Sequence, residues 1–349
     1  MDGFSSRRAH ASSHRIACVM REHHRRRAAM LAILTAILPV FALIGAGILF
    51  GRWRRVGRDG IAMLNDFTVS LALPALLFRS LAEGDWAELN RPSFLLIFAG
   101  GIAITFIMGL LLPPPSDAEH PLVDRSLTAL TSSYPNAGFI GIPLAQGLLG
   151  PVGLAAGVIA AILTISFQFA ISLLLVEIGL ARGGSLRDSG VKVVRALARN
   201  PLVLSPIAGG LWALTGIPLP GMAARFVDLL AAAASPCALV TIGAFLALPR
   251  GDDRVPTPLL GPALAIKLVA QPTVMAAGVF WLAPALGVPM PYPWAVAAIL
   301  LGALPTGTGP FMLAELYGRD AELASRVILL STAIGTASVM LLAFLLVPR

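Results

Sequence analysis

Residues 130–144 read LTSSYPNAGFIGIPL and interrupt a stretch of the chain that is otherwise strongly apolar. Two prolines and two glycines stand within nine of these residues: Pro135, Gly138, Gly141 and Pro143. Proline removes a backbone donor and glycine lowers helix propensity, so we expect a helix to open here. A second interruption, ALPTGTGPF, occupies residues 303–311.

The composition around these interruptions indicates a membrane protein. The 349 residues are 57% hydrophobic and 13% charged, with a mean hydropathy of +0.83. Soluble domains carry about 25% charged residues, and a globule of this size has too little interior for so much apolar surface. Cys18 and Cys237 lie far apart, and most of the histidines lie in the N-terminal tail. The sequence therefore predicts neither a disulfide framework nor a metal site.

Ten apolar segments are long enough to cross a bilayer, whose ~30 Å hydrocarbon core requires roughly 20 helical residues. We place these spans at residues 30–50, 61–81, 92–112, 126–149, 152–178, 201–217, 221–248, 258–284, 292–317 and 323–347. The two interruptions fall inside spans 4 and 9. The predicted fold is an all-α integral membrane protein with ten transmembrane helices, two of them broken.

The second half of the chain repeats the first. A shift of 162 positions superimposes, among others, Pro39 on Pro201, Gly47 on Gly209, Asp66 on Asp228 and Pro74 on Pro236; a shift of 170 superimposes Pro135 on Pro305. Because each unit has an odd number of spans, the sequence predicts a five-plus-five inverted repeat, an architecture of secondary transporters. The predicted parts are a basic N-terminal tail at 1–29, a first repeat at 30–178, a cytoplasmic loop at 179–200 and a second repeat at 201–349.

The basic residues favour one orientation in the cell (inner) membrane. Cytoplasmic loops carry an excess of Lys and Arg, and here the odd-numbered loops are the basic ones. We therefore expect odd-numbered loops in the cytoplasm and both termini on the other side. Seven of the 26 basic residues lie in the tail, which conflicts with this orientation; the alternative is a translation start at Met20 or Met30. Lipid is the expected partner, and no basic patch with interleaved aromatic residues indicates nucleic acid.

Broken helices have a specific consequence in lipid. Unpaired backbone groups are costly there, so both breaks must be buried in protein or reached by water. If the breaks cross near the bilayer midplane, two helix N-termini offer N–H groups to an anion, and two carbonyl ends can hold a cation. Asn136, Thr306 and Thr308 add short hydrogen-bonding side chains. The alternative is a pair of ordinary proline kinks.

Residues 135–144, PNAGFIGIPL, resemble the Asn-x-Gly-Phe-x-Gly-x-Pro-Leu signature of the auxin efflux carrier family. Residues 71–78, 267–272 and 313–318 are similar to other segments of that family. The family includes plant auxin exporters and bacterial permeases for malate, malonate and related acids, and its fold is similar to that of bile acid:sodium symporters. The resemblance implies a scaffold subdomain, a transport subdomain whose fourth and ninth helices cross at prolines, and a homodimer.

By this resemblance, Pro135 and Pro305 are the crossing prolines, and Asn136 is the polar residue beside the substrate. The chain departs from the pattern at the second crossing. Thr306, Gly307 and Thr308 stand where the plant carriers have an asparagine. This departure puts auxin itself in doubt as the substrate.

A few charged and amide side chains within the spans have two interpretations each. Lys267 lies deep in span 8 and attracts an organic anion or balances a carboxylate, or else snorkels to the interface. Asp66 and Asp228 carry a proton or bind a cation, or else they lie at the interface. Gln168 and Gln271 line a path or bridge helices, and for both we expect bridging.

The predicted function is secondary transport of small organic anions by alternating access, with mono- or dicarboxylates such as malate or malonate, or auxin-like acids, as substrates. The candidate substrate-binding residues are Pro135, Asn136, Gly138, Pro305, Thr306, Gly307, Thr308 and Lys267; the candidates for coupling to H⁺ or Na⁺ are Asp66 and Asp228. No cofactor is predicted. The alternatives are an anion channel and an intramembrane enzyme, although no catalytic constellation was found.

Overall fold

The computed structural model describes residues 38–39, 41–83, 91–114, 119–180, 198–199, 201–248, 258–319 and 321–346. In these ranges the regular structure is helical, and β-pairing is confined to one isolated bridge. The predicted tail at 1–29 and most of the predicted loop at 179–200 lie outside the described residues.

We number the described helical segments in chain order. They are α1 41–54, α2 58–82, α3 Pro92–Leu110, α4 Pro121–Ser133, α5 137–149, α6 151–180, α7 Pro201–Leu214, α8 Gly221–Leu246, α9 Leu260–Ala285, α10 Tyr292–Gly302, α11 Gly309–Leu316 and α12 Ala321–Leu346. Several of them start with proline in the first turn, where its missing N–H leaves no partner unsatisfied.

Six helical stretches of the described chain are long and apolar enough to cross a membrane. The longest runs from Ala137 to Leu180, and its 44 residues would extend about 66 Å, twice the hydrocarbon core. Gly150 divides it, because a φ of 62° and a ψ of −139° lie outside the helical region. Pro201–Leu214 and Tyr292–Gly302 are shorter apolar helices.

Both predicted interruptions are present as gaps between helices. In the first, α4 ends at Ser133, Tyr134 is extended, and α5 begins at Ala137. In the second, α10 ends at Gly302 and α11 begins at Gly309. Span 4 of the sequence prediction thus corresponds to α4 and α5, and span 9 to α10 and α11.

Helices of the two halves pack closely through glycine. A Cβ on Gly47 of α1 would lie 2.3 Å from the carbonyl oxygen of Val240 in α8, and one on Gly209 of α7 would lie 2.4 Å from that of Phe78 in α2. Neither position has room for a side chain. The α1–α8 and α2–α7 pairs therefore touch backbone to backbone, which groups spans 1, 2, 6 and 7.

The second broken helix lies in the centre of the protein. Every residue of α10 from Trp294 to Gly302 is buried, and the helix is apolar on all sides. A helix that is apolar all round is stable when other protein elements surround it. The end of α10 therefore opens into protein rather than into lipid.

Candidate functional site

The two interruptions lie against each other. An isolated antiparallel bridge joins Pro135 of the first to Thr306 of the second. The amide of Asn136 donates a hydrogen bond of 2.8 Å to the carbonyl of Pro305. The broken helices therefore meet through their backbones, at the two prolines that the sequence singled out. We call residues 134–138 and 305–309 together the crossing.

The polar groups freed by the breaks find partners inside the protein. The amide of Gly307 donates to the carbonyl of Tyr134 at 3.0 Å. The hydroxyl of Thr306 donates to the carbonyl of Thr131 at 3.0 Å, and its amide donates to Ser331 Oγ of α12 at 3.0 Å. These bonds offset much of the cost of burying an interrupted backbone.

Two helix N-termini begin at the crossing, α5 at Ala137 and α11 at Gly309. In their first turns, the amides of Gly138, Phe139, Gly309 and Phe311 donate to no described residue. Free amides at a helix N-terminus carry partial positive charge and bind anions. The crossing therefore brings together two sets of donors that suit a carboxylate.

The ring of Tyr134 covers the glycines of the second interruption. A Cβ on Gly307 would lie 3.0 Å from Cε1 of the ring, and one on Gly309 would lie 2.9 Å from Cζ. The ring also meets Phe169 of α6 edge to face, with centroids 6.4 Å apart. A side chain at Gly309 would therefore require the tyrosine ring to shift, and one at Gly307 would press against the ring.

Polar side chains without partners lie in the crossing and on the neighbouring helix α6. Asn136 and Thr308 are 4% and 5% exposed, and neither side chain bonds to a described residue. On α6, Ser166 Oγ and Gln168 Oε1 are buried without a partner, while Gln168 Nε2 donates to Ser133 Oγ at 2.8 Å. Buried groups of this kind are uncommon in folded proteins and indicate a position that a ligand or water completes.

The C-terminal ends of α4 and α10, which present backbone carbonyls, are contacted by side chains of α9. Lys267 of α9 is fully buried, and its Nζ donates to Gln271 Oε1 and, at 3.4 Å, to the carbonyl of Gly302 at the end of α10. Gln271 Nε2 donates to the carbonyl of Ser133, at the end of α4, at 2.8 Å. Of the predicted binding residues, Lys267 is the one that lies at the carbonyl ends.

Asp66 and Asp228 lie away from the crossing. Asp228 Oδ1 is 2.6 Å from Arg79 Nε, an ion pair that joins α8 to α2, and Asp66 is exposed. Their places match in the sequence repeat, yet their surroundings differ. No group of three or more His, Cys, Asp or Glu side chains that could hold a metal occurs in the described ranges.

The expected bridging by the two glutamines is confirmed, since Gln168 joins α6 to α4 and Gln271 joins α9 to α4. Sequence reasoning missed Ser133 and Tyr134 as parts of the site. Ser133 and Tyr134 had one available signal, because they directly precede the first crossing proline.

Comparisons with known proteins agree with this arrangement. The family described as membrane transport protein matches residues 32–343. A Rhizobium meliloti (strain 1021) protein that carries the provisional name of malonate transporter is 32% identical over 324 residues, which cover 91% of this chain and 97% of that protein. Auxin efflux carrier component 8 of Arabidopsis thaliana is 23% identical over 364 residues, which cover 90% of this chain and 97% of that protein.

An uncharacterized transporter of Methanothermobacter thermautotrophicus is 23% identical over 304 residues, which cover 86% of this chain and 94% of that protein. These relatives are transporters rather than enzymes, and the apolar helices described above are those of an integral membrane protein. The family match extends over nearly the whole chain, both sides of the crossing included. The chain therefore belongs to the auxin efflux carrier family of membrane transport proteins.

Proposed function

We propose that this protein is a secondary transporter that moves a small organic anion by alternating access, and that the anion binds at the crossing. The observation that carries the proposal is the pairing of Pro135 with Thr306, which brings two helix N-termini together. Helix ends inside a membrane bind ions in discontinuous-helix transporters. A carrier requires such a site at a place that two parts of the protein can expose in turn.

The anion is held by backbone rather than by a fixed charge. The free amides of Gly138 and Gly309 point to the two N-terminal ends as the carboxylate sites, since each adds partial positive charge to hydrogen bonding. Asn136 and Thr308 then orient the substrate with side chains that have no other described partner. Neutral donors bind an anion reversibly, which transport requires.

The remaining predicted residues support this geometry. Pro135, Pro305 and Gly307 keep the backbone open, and the Thr306 hydroxyl, which donates to Thr131, stabilises the pairing. Asp66 and Asp228 remain candidates for coupling to H⁺ or Na⁺. The ion pair of Asp228 with Arg79 joins α8 to α2, which favours a structural role for that carboxylate.

We further propose a ten-span, five-plus-five inverted repeat with spans 1, 2, 6 and 7 as the scaffold. The glycines carry this proposal: Gly47 and Gly209 match in the repeat, and each fits against a helix of the other half. Span 1 touches span 7, and span 6 touches span 2, as two-fold related contacts require. We place the protein in the inner membrane as a homodimer, with odd-numbered loops in the cytoplasm.

The site and the relatives both support a small carboxylate as the substrate. Two sets of amides suit a small molecule with one or two carboxylates, and one relative is named a malonate transporter. Malonate and malate are therefore the first substrates to test, before indole acids. An anion channel is the second candidate, because broken helices also build pores.

Counterflow distinguishes the two. Purified protein is reconstituted in liposomes loaded with unlabelled malonate, and trace labelled malonate is added outside. A carrier accumulates label transiently by exchange, and the rate saturates with malonate concentration. A flux that neither exchanges nor saturates, with a current in planar bilayers, would establish the channel and refute the carrier.

A further inference from the structure

Lys267 is the one charged side chain that is buried among the described residues. It lies in a π-helical turn of α9 spanning Ile266–Ala270, with Gln271 directly after it. A π-turn re-aims the side chains that follow it, and such turns occur frequently at functional sites. The lysine does not reach the interface, since its relative exposure is 0%.

The ammonium group contacts only neutral groups. Its described partners are Gln271 Oε1 and the Gly302 carbonyl, and no carboxylate in the described ranges pairs with it. Gln271 in turn donates to the Ser133 carbonyl. The Lys267–Gln271 pair thus connects the C-terminal ends of both broken helices, α4 and α10.

The C-terminal end of a helix carries partial negative charge and unpaired carbonyls. Where two such ends meet inside a membrane protein, carbonyl oxygens favour a bound cation. The structure places the Lys267 side chain there, with Nζ donating to Gln271 Oε1 and to the Gly302 carbonyl. An ammonium donates up to three hydrogen bonds, and Gln271 Oε1 and the Gly302 carbonyl accept two of them inside the protein.

We propose that Lys267, held by Gln271, is a resident cation that takes the place of a dissociable alkali ion between the C-terminal ends of the broken helices. The crossing consequently keeps its geometry without sodium or potassium. The transport experiment below rests on the proposed function, whereas the stability experiment requires no substrate. The anion sites at Gly138 and Gly309 lie at the opposite, N-terminal, helix ends.

The first test is the melting temperature of the purified full chain in choline, sodium, potassium and methylammonium chloride at equal ionic strength. The wild type should melt at the same temperature in all four salts. Lys267→Ala leaves room for a small cation, so sodium or methylammonium should raise its melting temperature by about 3 °C or more over choline. Lys267→Met removes the charge but fills the space, and should not respond.

The inference is overturned if sodium stabilises the wild type, or if Lys267→Ala responds to none of the cations. Should Lys267→Ala fail to fold in every salt, Lys267→Ser replaces it, because serine opens similar space and adds an oxygen ligand. For Lys267→Ser, a melting temperature raised by sodium or methylammonium supports the proposal, and no response to any of the cations overturns it.

The second test is malonate uptake by wild-type proteoliposomes in sodium, potassium and choline. Equal rates in all three are expected, and a rate that requires sodium would contradict the resident cation. A protein that moves no malonate in any salt would count against the proposed substrate, and the melting temperatures would still decide the role of Lys267.

Discussion

Asn136 is the side chain on which the proposed binding of substrate depends most directly. Its backbone amide donates to the Pro305 carbonyl, whereas its side-chain amide has no described partner, and the residue as a whole is 4% exposed. A side-chain amide without a protein partner is available to hydrogen-bond a bound ligand. The backbone therefore holds this residue for the crossing, and the side chain is free for the substrate.

Asn136→Ala should lower kcat/KM for malonate uptake by roughly tenfold or more, because a hydrogen bond to a charged group contributes about 1.5–3 kcal/mol. The measurement is initial uptake against malonate concentration, together with the amount of folded protein in the membrane. Thr241→Val is the matched control, since that buried hydroxyl bonds only within α8, to Cys237. Unchanged uptake kinetics in Asn136→Ala would remove the residue from the site.

The sequence could predict the crossing residues but not all of their neighbours. Pro135 and Pro305 stand out because each lies in a short run that concentrates proline and glycine, at matching positions of the sequence repeat. Tyr134 could not be identified as the cover of Gly309, since that contact depends on backbone pairing between segments far apart in the chain. The depth of Lys267 in span 8 was predictable from the sequence. That its side chain lies at the C-terminal, carbonyl ends of the broken helices, and not at the N-terminal ends proposed for the anion, is known only from its contact with Gly302 in the structure.

At the scale of elements, the close contact between α1 and α8 is set by the absence of a side chain at Gly47. Gly47→Ala places a methyl group 2.3 Å from the Val240 carbonyl, so the helices must separate. We expect a loss of about 1–3 kcal/mol of stability, seen as a lower melting temperature. Gly45→Ala on the same helix is the control, because nothing lies within 4 Å of its Cβ position.

A melting temperature of Gly47→Ala equal to that of Gly45→Ala would show that α1 and α8 do not pack as described. Alanine is also the better helix former by about 1 kcal/mol, so the control should lose no stability. Both variants change the same helix by the same methyl group, and the contact alone distinguishes them.

Helix bounds were more predictable than helix geometry. Most predicted ends lie within a few residues of the observed ones, for example the starts at Pro92 and Pro201. The π-turns, for example Leu163–Gln168 in α6 and Ile266–Ala270 in α9, were not predicted. A π-turn changes which carbonyl each amide bonds to, and it has no distinctive residue pattern.

At the scale of the whole molecule, the proposed ten spans and the basic loops together fix an orientation. An even number of spans puts both termini on one side, and the positive-inside rule puts that side away from the cytoplasm. A C-terminal fusion in a bacterial host should therefore give active alkaline phosphatase and dark green fluorescent protein. Bright fluorescence with inactive phosphatase would require an inverted orientation or an odd number of spans.

The central claim is that a substrate occupies the crossing, and cysteine protection tests it most directly. Thr308→Cys is introduced in a chain with Cys18→Ser and Cys237→Ser, and labelling by a membrane-impermeant maleimide is timed with and without malonate. Val288→Cys, in the exposed turn between α9 and α10 and outside the proposed spans, is the control. We predict that malonate slows labelling at 308 severalfold and leaves it unchanged at 288; equal labelling rates at 308 with and without malonate would contradict the account.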